Sequence, residues 1–101
     1  MSRARIEVPQ KRIAEFCRRH HIRWLALFGW VLRDDFRPDS DIDVLVEFEP
    51  EHRYTYFTLA RIEEELASLL GRKVDLHVPK TLHPFIRDKV LSQAEALYVG
   101  G

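Results

Sequence analysis

Two aspartates separated by one residue, Asp41 and Asp43, are the part of the sequence best suited to chemistry. Residues 41–49 alternate apolar and polar side chains, which predicts a strand with both carboxylates on one face, roughly 6.6 Å apart. Carboxylates at that spacing can converge on one or two divalent cations, and Mg²⁺ prefers such oxygen ligands. Solvent at an exposed strand would tolerate the same pair, so the pattern alone is weak evidence for a metal site.

A third carboxylate, Asp75, stands between Val74 and Leu76 in another short apolar run that predicts a strand. If the two strands are neighbours, Asp75 completes a triad with Asp41 and Asp43. Such a triad can hold two metal ions about 3.5–4 Å apart, an arrangement that activates an attacking oxygen and neutralises a leaving pyrophosphate. An isolated aspartate at a strand end in solvent is the competing interpretation. We predict that Asp41, Asp43 and Asp75 are metal ligands and catalytic residues.

Gly29 ends the apolar run over 24–28 and is a candidate for phosphate binding. A residue without a side chain lets backbone N–H groups approach a phosphate, and a following helical turn would point its N-terminus there. Arg33 and Arg37 flank the next loop, and a guanidinium can contact phosphate oxygens in a forked geometry. Gly29 as a plain turn residue, and the two arginines as partners of nearby aspartates, are the alternatives.

The pattern of apolar residues predicts the elements that position these groups. In chain order they are a helix over 9–20, a strand over 24–28, a loop over 31–39, a strand over 41–49, a helix over 58–70, a strand over 73–78 and a last helix opening at His83. The last helix is expected to turn Ile86, Val90, Ala94 and Leu97 inward. The order α-β-(α)-β-α-β-α predicts an α/β (α+β) fold, with helices packed on a small mixed sheet.

Length and composition narrow the classes of protein. With 101 residues, the chain is expected to form one domain over 1–101. Sixteen basic residues balance sixteen acidic ones, so no strong nucleic-acid binding is expected. The apolar runs are too short for a membrane span, which predicts no membrane partner. The single Cys17 forms no intrachain disulfide and favours a reducing cytoplasmic setting.

Three motifs together resemble the signature of minimal nucleotidyltransferases of the DNA polymerase β superfamily. They are Leu27-Phe28-Gly29, Arg33-Asp34 and the run from Pro38 to Val46. In that family a Gly-Ser pair is followed along the chain by Asp-x-Asp. A later strand carries a third Asp, which Lys73-Val74-Asp75-Leu76 matches. The resemblance covers nearly the whole chain and implies a fold like the palm of polymerase β.

The resemblance also implies roles and partners. Asp41 and Asp43 would bind metal, Asp75 would be the acid nearest the attacking hydroxyl, and Gly29 would cradle the β and γ phosphates. Nucleotide contacts are expected at Gly29, Trp30, Arg33 and Ser40. The family uses ATP as its usual donor and transfers AMP, with two Mg²⁺ ions expected. Many members are encoded beside a helical HEPN ribonuclease toxin, which they neutralise, in some cases by adenylylation.

Trp30 departs from the family pattern, which has Ser after the glycine. Serine offers a small hydroxyl donor to a phosphate oxygen, whereas indole offers one N–H on a bulky ring. Loss of one donor aimed at transition-state charge costs about 3 kcal/mol, or roughly a hundredfold in rate. A degenerate site, an altered but active site, and an engineered or erroneous residue are the three explanations.

The leading hypothesis is Mg²⁺-dependent transfer of AMP from ATP to a hydroxyl of a partner protein, as the antitoxin of a HEPN pair. The alternatives are a catalytically silent antitoxin that masks its partner by binding, and a protein that binds nucleotide without transfer. The five histidines form no metal-ligand pattern in the sequence, and surface or capping roles are predicted for them: His20, His21, His52, His77 and His83.

Overall fold

The structure is a computed structural model that describes residues 8–29 and 41–100. Its elements follow one another along the chain as α1 (Gln10–Arg19), β1 (Ile22–Phe28), β2 (Ile42–Phe48), α2 (Tyr56–Leu70), β3 (Val74–His77), a 3₁₀ turn (Pro79–Thr81), α3 (Pro84–Gln93) and β4 (Glu95–Val99). The predicted loop over 31–39, and any helical turn within it, lies outside the described residues. None of the helices at the described positions has the length and apolar content that a membrane crossing requires.

The strands form one mixed sheet in the order β3-β2-β1-β4. Strand β1 pairs antiparallel with both β2 and β4, whereas β2 and β3 run parallel. A parallel pair needs a crossover connection, and α2 provides it between β2 and β3. The predicted fold class, a small mixed sheet with helices, is therefore confirmed. Strand β3 lies beside β2, which is the condition on which a cluster that includes Asp75 depended.

The alternation along β2 separates the core from the opposite face of the sheet. Ile42, Val44, Val46 and Phe48 join the hydrophobic core with side chains of α1 and α2. Successive strand residues point to opposite faces, so the aspartate at position 43 points away from that core. The predicted division of the β2 side chains between two faces is confirmed.

Helix α2 begins two residues earlier than the periodicity predicted, at Tyr56 rather than Thr58. Thr55 explains the difference, because its side-chain oxygen accepts the backbone N–H of Thr58 and caps the helix. At the other end Gly71 adopts the left-handed conformation, with φ of 67°. Its backbone N–H donates to the carbonyl of Ala67, so the predicted C-terminal stop is confirmed.

The C-terminal prediction needs correction. Helix α3 ends at Gln93, and the residues that follow form strand β4, with Leu97 inside it. No residue of α3, which the structure describes completely, is buried, and Ile86 is 48% exposed. A short apolar run fits a helical face and a strand equally well. Pairing with β1 favours the strand because it satisfies backbone groups that would otherwise lie at a sheet edge.

Cys17 lies in the core with no exposed surface, and burial raises the pKa of its thiol from 9.0 to about 12, opposed by the charge of Arg18. We expect the native protein to react with a disulfide reagent only as fast as it unfolds, because the thiolate is the nucleophile. Below pH 9 both states hold the proton. Above it the unfolded thiol ionises first, so stability falls as pH rises towards the folded pKa. Rapid labelling of Cys17 in the folded protein, measured beside hydrogen exchange, would contradict this prediction.

Candidate metal and nucleotide site

Asp43 and Asp75 are brought together by the parallel pairing of β2 and β3. The register places Asp43 directly beside Asp75, although the two residues are far apart in the sequence. Both carboxylates therefore lie on the sheet face opposite the core. Asp43 is 22% exposed and Asp75 is 56% exposed, so the first is held within the sheet and the second faces solvent.

His77 completes a cluster with these two aspartates. It follows Asp75 by two residues on β3 and so points to the same face. Its Nε2 atom lies 3.1 Å from Oδ2 of Asp75 and 3.7 Å from Oδ1 of Asp43. One ligand atom from each of the three side chains lies within 4.8 Å of the others. The prediction that the histidines form no metal-ligand pattern is therefore wrong for His77.

The two carboxylates shift the titration of His77. The carboxylate of Asp43 contributes most to raising the pKa of His77, partial burial lowers it, and the charge of Asp75 raises it further. A positive charge at this point reduces the repulsion between the aspartates, as a bound cation would.

Gly29 ends β1 against the same cluster. Phe28 pairs with Asp43 across the two antiparallel strands, and Gly29 follows with a positive φ of 74°. A Cβ atom at this position would lie 2.5 Å from Oδ2 of Asp43, closer than any side-chain carbon can come. Glycine is therefore required here by both the conformation and the close approach of the Asp43 carboxylate.

The third predicted ligand stands apart from the cluster. Asp41 immediately precedes β2 and is exposed, while the neighbouring Ile42 N–H donates to the carbonyl of Lys73 at 2.9 Å. Among the described residues, Asp41 is not part of the group whose ligand atoms lie within 4.8 Å of one another. Its role as a metal ligand stays a prediction.

Most of the predicted nucleotide contacts lie outside the described residues. Trp30, Arg33 and Ser40 belong to the segment over 30–40, as does Arg37. Of the residues predicted to contact nucleotide, the structure describes Gly29 alone, at the position just given. The roles of the other three stay predictions.

A contact from α2 holds the strand that carries Asp75 and His77. Strand β3 lies at an edge of the sheet, where backbone groups of one side lack a strand partner. Oε2 of Glu63 accepts the backbone N–H of Leu76 at 2.9 Å, between the two site residues. This hydrogen bond fixes β3 against the helix and restricts movement of Asp75 and His77 relative to Asp43.

The family follows from a match over almost all of the chain. The model of the nucleotidyltransferase domain family matches residues 10–97. The chain belongs to this family. The predicted resemblance to minimal nucleotidyltransferases is confirmed. In this domain Asp43 and Asp75 lie directly opposite each other where β2 pairs with β3.

Two relatives show the same similarity along most of their length. Over 85 residues the nucleotidyltransferase domain is 36% identical to protein adenylyltransferase MntA of Thermococcus cleftensis, covering 84% of this chain and 82% of that protein. Over 85 residues it is 31% identical to a candidate protein adenylyltransferase of Methanocaldococcus jannaschii, covering 84% and 89%.

Solved structures agree on the fold. A candidate minimal nucleotidyltransferase is 37% identical and superposes with a TM-score of 0.69, covering 85% of this chain and 86% of the other. A toxin–antitoxin structure with AMP-PNP gives a TM-score of 0.72 over 91% of this chain and 74% of the other. At 21% identity, this second likeness establishes the fold alone.

Proposed function

We propose that this nucleotidyltransferase domain transfers AMP from ATP to a hydroxyl group of a partner protein. The observation that carries the proposal is the pairing of Asp43 with Asp75 in register, with Gly29 in close contact with the carboxylate of Asp43. Carboxylates beside a side-chain-free strand end can serve a metal-bound triphosphate. Relatives that are more than 30% identical carry the name protein adenylyltransferase, which supports AMP as the transferred group.

The donor atoms fit a divalent cation. Asp43 and Asp75 supply carboxylate oxygens on one face, and Asp41 is the predicted further ligand. Mg²⁺, with two ions expected, would neutralise charge on the triphosphate and polarise the reacting phosphoryl group. Oxygen ligands of this kind are those that Mg²⁺ prefers, so the residues fit the expected cofactor.

The protein side chains divide the remaining work. Asp75, which is 56% exposed, is accessible to the hydroxyl of a partner and accepts its proton. The hydroxyl oxygen forms a bond to the α phosphorus of ATP, while the bond from that phosphorus to the bridging oxygen breaks. Pyrophosphate leaves with the bonding electron pair, and the products are pyrophosphate and an adenylylated partner. Asp43 is less exposed and holds its position on β2 throughout.

A protein is the acceptor that the surface favours. Three aromatic side chains stand almost fully in solvent: Tyr56 at 89%, Phe57 at 88% and Phe85 at 90% exposure. Aromatic side chains are enriched in protein–protein interfaces relative to the rest of the surface. Structurally similar chains occur in a toxin–antitoxin complex of MntA with HepT and in a complex of an MNT antitoxin with a tri-AMPylated HEPN toxin, which supports a HEPN-type acceptor and an antitoxin role.

Binding without transfer is the second candidate, and Trp30 in place of Ser is the observation that favours it. In that case the domain would neutralise its partner by covering it. The exposed aromatic residues suit this function equally, because masking requires a surface and no chemistry.

Adenylylation can be tested with a HEPN-type protein of the same genome. The two proteins are incubated with Mg²⁺ and ATP, and the intact mass of the partner is measured together with its ribonuclease activity. We expect the partner to gain the mass of adenylyl groups and to lose activity at the same rate. Neutralisation without any added mass, and without a requirement for ATP, would support masking instead.

Replacement of Trp30 by Ser tests the departure from the family pattern. We expect amide shifts at Gly29, Asp43 and Asp75 on addition of Mg²⁺ and ATP to both proteins. Transfer should be about a hundredfold faster in Trp30→Ser, because a hydroxyl donor to the transferring phosphate is restored. The measurements are NMR titration and single-turnover transfer. If only Trp30→Ser shows amide shifts with Mg²⁺ and ATP, the native protein does not bind the nucleotide and would neutralise its partner by covering it.

A further inference from the structure

The imidazole of His77 is held in a fixed position within the carboxylate cluster. Its ring packs edge-on against Phe28, with the ring centroids 5.3 Å apart and the planes at 73°. The side chain is 30% exposed, and the preceding Leu76 N–H is bound by Glu63. A nitrogen donor therefore lies beside the oxygens of Asp43 and Asp75, and the side chain of His77 would lose little conformational entropy on binding a metal ion.

The separations within the cluster suit one shared ion. Adjacent ligand atoms around an octahedral ion at about 2.1 Å lie about 3 Å apart, and opposite ones about 4.2 Å apart. Nε2 of His77 lies 3.1 Å and 3.7 Å from the nearest oxygens of the two aspartates. All three donor atoms lie within 4.8 Å of one another, so small side-chain rotations suffice to bring them around one cation.

The chemistry of that donor set differs from an all-carboxylate site. Mg²⁺ takes oxygen ligands and gives up water reluctantly, so an imidazole nitrogen adds little to its binding. Divalent first-row transition metals bind imidazole well, with affinity increasing from Mn²⁺ through Fe²⁺ and Co²⁺ to Cu²⁺. A nitrogen beside two carboxylates therefore favours these ions selectively.

We propose that His77 is a direct metal ligand, and that it shifts the preference of the site from Mg²⁺ towards divalent first-row transition metals. The inference rests on the metal site of the proposed function and adds a determinant of which ion occupies it. Mn²⁺ is the most demanding probe, because it has the lowest affinity of the series for such ligands. Selection seen with Mn²⁺ is expected to be larger for the later ions.

Metal affinity in the absence of nucleotide provides the test. Free Mn²⁺ is followed by electron paramagnetic resonance during titration at mildly alkaline pH, and Mg²⁺ affinity is obtained by competition. His77→Gln places an amide oxygen near the position of Nε2, while His77→Ala removes the donor entirely. His52→Gln is the matched control, because His52 stacks on His21 outside the cluster. Amide NMR spectra establish that each variant is folded.

We expect His77→Gln and His77→Ala to lower Mn²⁺ affinity by at least about tenfold. Mg²⁺ affinity should stay within about twofold of the native value, and His52→Gln should resemble the native protein. Pulsed resonance of the Mn²⁺ complex should show coupling to a directly bonded nitrogen that is lost in both His77 variants. Equal losses of Mn²⁺ and Mg²⁺ affinity, or no nitrogen coupling in the native protein, would overturn the inference.

Failure of this inference is distinguishable from failure of the proposed function. If Asp43→Asn abolishes binding of both ions while the His77 variants keep native affinities, the metal site stands and the role of His77 is wrong. If the native protein selects Mn²⁺ through His77 but never adenylylates a partner, the ligand assignment holds and the transfer proposal fails. Absence of Mn²⁺ binding to the native protein would overturn the role of His77, whereas the transfer proposal would still be decided by adenylylation of the partner in the presence of ATP.

Discussion

Replacing Asp43 with Asn is expected to slow AMP transfer by at least about a hundredfold. The substitution keeps the shape of the side chain but removes the charge of the least exposed carboxylate in the cluster. Asp43 touches every other part of the site: it pairs with Asp75, faces Gly29 and lies near His77. A missing ligand charge weakens both cation binding and stabilisation of the transition state, which commonly costs two to three orders of magnitude in rate.

The measurement is the single-turnover rate of partner adenylylation at saturating Mg²⁺ and ATP. Asp88→Asn is the matched control, because Asp88 is an exposed acid on α3 outside the cluster. Its rate should equal that of the native protein. Native transfer by Asp43→Asn would exclude the cluster as the reaction centre. Full neutralisation of the partner by Asp43→Asn, without transfer, would instead identify masking as the function.

Replacing Gly29 with Ala is expected to slow transfer by about a hundredfold as well. The new methyl group would lie 2.5 Å from Oδ2 of Asp43, so the carboxylate or the strand end must move. A displacement of about 1 Å in a reacting group can cost about a hundredfold in rate. The positive φ of 74° adds roughly 1–2 kcal/mol of backbone strain for a residue with a side chain.

Gly71→Ala separates these two causes. Gly71 also has a positive φ, of 67°, but no described heavy atom lies within 4 Å of the Cβ that alanine would add. Both variants should therefore lose similar stability from backbone strain in thermal unfolding. Only Gly29→Ala should lose transfer activity and Mn²⁺ affinity beyond that loss of stability. Equal activity in the two variants would show that the close approach of Gly29 to Asp43 is unimportant.

Asp43, Asp75 and His77 show which features of the site the local sequence pattern can predict. The alternation of residues in β2 predicted that Asp43 points away from the core, because a strand repeats every two residues. The apolar run around Asp75 predicted its strand for the same reason. His77 follows Asp75 by the same two-residue step. It could be recognised as a site residue only once the register had placed both residues beside Asp43. Pairing of distant strands has no local signature.

In the C-terminal segment the local sequence pattern predicted the wrong element. The spacing of the apolar residues up to Leu97 predicted a single helix. That prediction was wrong, because the helix ends at Gln93 and the following strand β4 pairs with β1. A short run suits either period, and the free edge of β1 supplied the deciding interaction. The local preference of a segment for helix is overridden when forming a strand pairs the backbone groups at a sheet edge, which a helix would leave without a strand partner.

By itself the sequence determined the mixed class of fold, helix α2 with its stop at Gly71, the strands that carry Asp43 and Asp75, and membership of the nucleotidyltransferase family. These depend on residue spacing within single elements, where the period of side chains decides the structure. Only the tertiary structure decided that Asp43 and Asp75 share a register, that Asp41 stands apart, and that His77 joins the cluster. Such distances depend on how strands separated in the chain align, and that alignment is a property of the assembled sheet.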